Sequence, residues 1–155
     1  MKPRMVEKPA FRLVGMKGMF PPGRIMEIPL LWDRFVPRME SIPGRRAGLT
    51  YGACRPSAPG TPEEALVYVA AVETDPGAAA PEGMIALDIP AGSYAGWTHE
   101  GHISEIVETW DRIWNTWMKE TGLTHRPGYD FEVYDGRWNP ETGEGPVDIL
   151  VAVEK

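Results

Sequence analysis

The spacing of hydrophobic and polar positions changes several times along the chain, and each change marks an element. In residues 4–19 the apolar Val6, Ala10, Phe11, Leu13, Val14 and Met16 read as a first strand, bent or interrupted at Pro9. Gly15 and Gly18 argue against a helix there, and Pro21, Pro22 and Gly23 break the chain. Ile28, Leu31, Trp32, Phe35, Val36 and Met39 then recur at helical spacing. Pro29 falls in the first turn, where its missing N–H costs nothing, and Pro37 is set to distort or end the helix. Residues 48–54 alternate weakly, and residues 65–73, rich in Val, Tyr and Ala, read as a strong strand. These two are expected to pair antiparallel across the loop at 56–62.

A Pro-, Ala- and Gly-rich stretch at 75–83 divides the chain near its middle. The second half repeats the order of the first. Residues 84–98 read as a long strand kinked at 90–92. A helix follows, in which Ile103, Ile106, Val107, Trp110, Ile113, Trp114 and Trp117 keep one face apolar over four turns, and Gly122 stops it. Residues 129–135 and 147–154 are closing strands, joined by a loop full of Gly, Pro and Asn. The order is β-α-β-β twice, which predicts an α+β domain over residues 1–155 with pseudo-repeats at about 1–75 and 82–155. Both helices would lie on one side of a shared antiparallel sheet, with a ligand groove between the halves.

Composition narrows the function. With 43% hydrophobic and 25% charged residues, the 155-residue chain is that of an ordinary globular domain rather than a disordered or membrane-spanning one. The N-terminal residues carry charge early and lack a secretory leader pattern, and the single Cys54 has no disulfide or CxxC partner; a cytoplasmic location is expected. A net charge of -6 with scattered Lys and Arg argues against a nucleic-acid footprint and mildly favours cationic partners. The only basic pair in a loop, Arg45-Arg46, reads as a solvated turn. The sequence leaves open a homodimer or a protein partner.

Candidate chemistry centres on one carboxylate. In the predicted strand carrying Tyr129-Asp130-Phe131-Glu132-Val133-Tyr134, alternation puts Glu132 and Tyr134 on one face and Phe131 and Val133 on the other. If the apolar pair faces the helices, Glu132 lies in water. If the Glu132 face lines a cleft, desolvation makes the carboxylate a strong partner for a cation. Six tryptophans supply rings. Trp110 and Trp114 lie one turn apart on the second helix, Trp32 holds the matching place on the first, and Tyr51, Tyr68 and Trp97 lie on strands expected to border the groove. Trp117 reads as core. A cation against a ring face gains ~0.5–2 kcal/mol, so a few rings and one carboxylate suffice for micromolar binding of a small hydrophobic or cationic ligand.

His99 and His102 form an HxxH interrupted by Gly101, which reads as a turn rather than a zinc-binding face. His99 is expected to be an exposed turn residue and His102 a helix-entry residue. No GxSxG elbow, P-loop or GxGxxG is present, so no cofactor, metal or common catalytic template is expected. A second reading makes Glu132, with Tyr134 beside it, a general base for water attack on a bound electrophile. A third makes the chain an acidic modulator of another protein.

Several segments carry a family resemblance: Ile89-Pro90-Ala91-Gly92-Ser93-Tyr94-Ala95 followed by His99 and Gly101, the Trp-bearing second helix ending at Gly122, Phe131-Glu132-Val133-Tyr134, and Leu31-Trp32 to Phe35. Through them, nearly the whole chain resembles the GyrI-like superfamily, the effector-binding domain of AraC- and MerR-type multidrug regulators. The resemblance implies a duplicated βαββ fold with a cleft between the halves. It also implies a glutamate at Glu132 that draws cationic aromatic ligands, with a tyrosine at Tyr134 beside it. Members without a DNA-binding part include drug-binding proteins, gyrase-modulating proteins and hydrolases of cyclopropane-bearing genotoxins. No helix-turn-helix segment occurs in this sequence, so the expectation is a stand-alone member in which any DNA contact comes from a partner.

Overall fold

The computed structural model describes residues 1–56 and 65–154. Pro9 and Ala10 do more than bend a strand: they separate β1 (Arg4–Lys8) from β2 (Phe11–Phe20). A 3-10 segment, Pro22–Glu27, leads into α1 (Ile28–Phe35), which carries Pro29 in its first turn. Pro37 ends the α-helical ladder as expected, and the apolar spacing runs on as the 3-10 segment Val36–Ser41. The first half closes with β3 (Arg45–Pro56) and β4 (Leu66–Thr74), paired antiparallel; the loop expected between them falls largely outside the described residues.

The second half opens with β5 (Ile85–Ile89) and β6 (Gly92–His99), split by Pro90 and Ala91. Its helix is one rod in three parts: α2 (Ile106–Arg112), a π-helical stretch (Ile113–Trp117) and α3 (Met118–Thr121). Gly122 ends the rod in the left-handed region, φ 72°, where a side chain would be strained. The chain finishes with β7 (Asp130–Tyr134) and β8 (Val147–Val153).

The eight strands of the described residues form one antiparallel sheet in the order β1-β6-β8-β7-β3-β4-β2-β5. Exchanging β1 with β5, β2 with β6, β3 with β7 and β4 with β8 turns this order into its own reverse. β1 and β2 stand six places apart, which in a flat sheet is about 29 Å. The Lys8 to Phe11 link spans at most about 11 Å. β5 and β6, also six places apart, are joined by a link of the same length. The sheet therefore has to curl, and its inner face closes on itself. The ring of Phe11 on β2 lies 5.6 Å from that of Phe131 on β7, three strands away, and Tyr51 and Tyr94 approach Phe131 at 5.9 and 5.7 Å.

The outer face receives the helices. Val14, Tyr68, Ala70 and Val72 pack with Leu31 and Phe35 of α1, while Ala95, Trp97, Ile149 and Val151 pack with Ile106 of α2 and Ile113. Trp32 and Trp110 belong to both groups and form the seam between them. His99, expected at the surface, is only 2% exposed: its ring nitrogens meet Thr109 Oγ1 at 2.6 Å and the His102 carbonyl at 2.9 Å, latching the end of β6 to α2. His102 is the helix-entry residue, its ring accepting from the Ser104 N–H. No His, Cys, Asp and Glu cluster able to hold a metal occurs among the described residues, and none of their helices is long and apolar enough to cross a membrane.

Phe131 anchors the inner face through three ring contacts. Phe131→Ala is expected to lower the unfolding free energy by about 3–5 kcal/mol, with Phe131→Leu losing clearly less, as read from urea unfolding followed by circular dichroism.

Candidate functional site

β3 and β7 are the two central strands, and their pairing sets Glu132 opposite Gly52 and Tyr134 opposite Thr50. On the other side of β3, Gly52 pairs with Ala70 of β4, which puts Tyr68 on the same face as Glu132. The Tyr68 hydroxyl reaches Glu132 Oε1 at 2.7 Å by crossing β3 over Gly52. A Cβ at residue 52 would overlap that hydroxyl and crowd Glu132 Oε1. Glycine is thus required there for close approach rather than for backbone flexibility.

Which face is which was the open question in the sequence, and the structure resolves it against the simpler expectation. Phe131 faces the curled inner core, with Val133 packed against it, while Tyr134 joins the helix-side packing and Glu132 shares its face. Glu132 is therefore not in water: it is 7% exposed. Tyr134 Oη donates to Oε1 at 2.8 Å beside Tyr68, and the Trp110 indole N–H donates to Oε2 at 2.9 Å. Trp32 extends the set by donating its indole N–H to the Tyr68 hydroxyl at 3.1 Å. All of these donors are neutral, and no ion pair involves Glu132 among the described residues.

The electrostatics agree with donor roles for the phenols. Burial first, and the Glu132 charge second, hold the Tyr68 and Tyr134 hydroxyls well above the usual tyrosine range, so both keep their protons. Burial and the same carboxylate push the Cys54 thiol up, which makes it inert packing rather than a nucleophile. Asp130, two residues from Glu132 on the same face, is raised by burial and is steadied by His125 at 3.1 Å and the Ala152 N–H at 2.8 Å. His125 is raised in turn, chiefly by its hydrogen bond to Asp130.

Six of the eight residues expected at the site come together. Trp32, Tyr68, Trp110 and Tyr134 surround Glu132, with Trp32 set edge-on to Tyr134 at 5.6 Å and to Tyr68 at 6.4 Å. Trp114 stacks on Trp110 at 6.5 Å with an interplanar angle of 13° and carries the aromatic wall toward His125, 5.0 Å away. Trp97 does not join them. It is buried two strands away, stacked on Trp117 at 6.3 Å, with its N–H spent on the Met1 carbonyl. Tyr51 lies on the opposite face of the sheet and donates to Glu73 at 3.0 Å. Two neighbours were missed by the sequence reading. Gly52 carried a usable signal, a lone glycine inside a strand pattern; Trp138, whose ring lies 4.9 Å from that of Tyr134, sits in a loop with no periodicity to place it.

The GyrI-like small molecule binding domain matches residues 1–154. The transcriptional regulator BrlR of Pseudomonas aeruginosa is 38% identical over 99% of this chain, and the chain spans 56% of the length of that relative. Among solved structures, that of SAV2435 bound to tetraphenylphosphonium superposes with a TM-score of 0.77 at 16% identity, covering 99% of this chain and 94% of the other. The C-terminal domain of EcmrR superposes with a TM-score of 0.67 at 19% identity, covering 98% and 96%. A match across the whole described fold, joined to a curled eight-stranded sheet with two helices on its outer face, identifies the chain as a member of the GyrI-like small-molecule-binding domains.

Proposed function

We propose that this chain binds hydrophobic aromatic cations, with Glu132 as the counter-charge and Trp32, Tyr68, Trp110, Trp114 and Tyr134 as the surrounding rings. One observation carries the reading: among the described residues, a buried carboxylate at the centre of the sheet meets only neutral donors. Three hydrogen bonds offset part of the lost hydration, but they leave the negative charge uncompensated in a medium of low dielectric. A cation with apolar, flat flanks relieves that imbalance and gains ring contacts as well. The tetraphenylphosphonium seen with SAV2435 is a ligand of this kind, and it supports the same class here.

The carboxylate is better suited to a counter-charge than to a base. Three of its roughly four lone-pair positions already accept hydrogen bonds, leaving little capacity to take a proton from water. We also read residues 1–75 and 82–155 as two copies of one unit that meet at this site. Trp32 and Trp110 are each the fifth residue of their helix, and each points its N–H at the Tyr68–Glu132 pair. By likeness to BrlR, of which the chain spans 56%, it serves as a ligand-sensing part in transcription control, with DNA contact supplied elsewhere.

Charge selectivity is the direct test. Tetraphenylphosphonium and tetraphenylborate have nearly the same shape and opposite charge. By tryptophan fluorescence titration the cation is expected to bind at micromolar concentration and the anion at least about a hundredfold more weakly. Glu132→Gln should weaken the cation by about tenfold or more and narrow the gap between the two ions; an unchanged cation affinity would remove the charge-pairing idea. Gly52→Ala should also lower cation affinity by about tenfold or more, because it displaces Tyr68 from Glu132 without touching either residue, and calorimetry with a parallel thermal melt separates this from unfolding.

A further inference from the structure

The structure holds one buried polar side-chain atom whose situation the proposed site does not explain. Trp138 Nε1 is shielded from water and has no hydrogen-bond partner, and among the described residues it is the only such side-chain nitrogen or oxygen. A buried donor left without an acceptor destabilises the protein that contains it, so such groups are rare and call for a cause.

The loop around Trp138 is not loosely built. Its backbone N–H donates to the Asp135 carbonyl at 3.1 Å, and the next residue, Asn139, donates to the Glu144 carbonyl at 2.8 Å while its side chain caps the Glu141 N–H at 2.9 Å. Arg137, immediately before it, grips Asp135 and Asp148 at 2.9 and 2.8 Å and so ties the loop to β8. These bonds set the ring against Tyr134, 4.9 Å away and steeply inclined at 65°. Tyr134 in turn donates to Glu132, and Trp32 and Trp110 pack into the same cluster as Trp138.

The two indoles nearest Glu132 have acceptors: Trp110 uses Glu132 itself and Trp32 uses Tyr68. Even Trp97, deep in the core, is given the Met1 carbonyl. Among the described residues of that cluster, Trp138 is the indole whose N–H is both buried and without an acceptor, although its loop is firmly bonded.

We infer that Trp138 Nε1–H is a ligand donor, and that the site therefore prefers aromatic cations bearing a hydrogen-bond acceptor, an ether, ester or ketone oxygen, on their rim. This rests on the reading that the Glu132 site binds aromatic cations. Glu132 selects the charge and the rings select flat apolar flanks, neither of which distinguishes a plain hydrocarbon cation from one that carries oxygen. Trp138 makes that distinction, because only the oxygen-bearing ligand removes the cost of the unpartnered N–H.

The test uses a matched series: tetraphenylphosphonium, which has no acceptor, and the ortho, meta and para isomers of (methoxyphenyl)triphenylphosphonium, which keep its charge and core and add one ether oxygen. With the wild-type chain at least one isomer is expected to bind about fivefold or more tightly than tetraphenylphosphonium. Trp138→Phe, which keeps a ring but removes the donor, should abolish that preference, so that within the variant the methoxy isomers and tetraphenylphosphonium bind alike. If no isomer is preferred, or the preference survives in Trp138→Phe, this inference falls while cation binding stands. If none of the four cations binds the wild-type chain, the underlying reading falls with it. Wild-type protein labelled with 15N at its indoles gives a readout independent of the variant's folding. The Trp138 indole proton should move downfield and exchange more slowly with the preferred methoxy isomer only; the same response to tetraphenylphosphonium overturns the proposal.

Discussion

Two links of two residues each, Pro9-Ala10 and Pro90-Ala91, set the geometry of everything else. Each must join a strand near one edge of an eight-stranded sheet to a strand near the other edge. A chain of that length reaches across only if the sheet curls, so the inner face becomes a narrow interior that side chains alone can fill. Phe11, Tyr51, Tyr94 and Phe131 fill it with rings. The outer face is left as the only place for helices. Because each half of the chain supplies one helix, the seam between the two falls over the central strands.

The site follows from that seam. A residue on the outer face of β7 lies under both helices at once, and Glu132 is that residue. Its carboxylate would be costly in such a place without partners, and the fold supplies them from four separate elements: Tyr68 from β4, Tyr134 from β7, Trp110 from α2, and Trp32 from α1 through Tyr68. Gly52 is the quiet requirement. Removing a side chain from the strand beside Glu132 opens the path by which a tyrosine two strands away reaches it. What the described residues do not supply is positive charge, and that separates this carboxylate from the surface ion pairs Arg4–Asp148 and Arg12–Asp88 elsewhere in the molecule.

The helix that carries Trp110 is itself adapted. Its π-helical stretch, Ile113–Trp117, changes the angular step between successive tryptophans. Trp110 and Trp114 stay together as a near-parallel pair facing Glu132 and His125, while Trp117 turns to stack on Trp97 in the core. One helix thus serves both the site and the interior.

Local chemistry made much of this legible from the amino-acid sequence. Proline breaks at 9, 37 and 90, the left-handed Gly122, the apolar helical stripes and the order of elements all depend on neighbours a few residues apart, and all appear in the structure. So does the fact that Glu132 and Tyr134 share a face, since strand alternation requires it. Alternation does not say which face is inside, and here it is Phe131 and Val133 that turn inward while Glu132 meets the helices. Nor does it relate one strand to another: Tyr51 and Tyr68 look equivalent in sequence, yet register puts them on opposite faces. The roles of Gly52, Trp97 and Trp138 likewise depend on residues far away in the chain. Sequence determined the elements and the shared faces, because those are set by bonds along the backbone. Tertiary structure alone decided inside from outside, because that depends on a curl imposed by joining strands at opposite edges of the sheet.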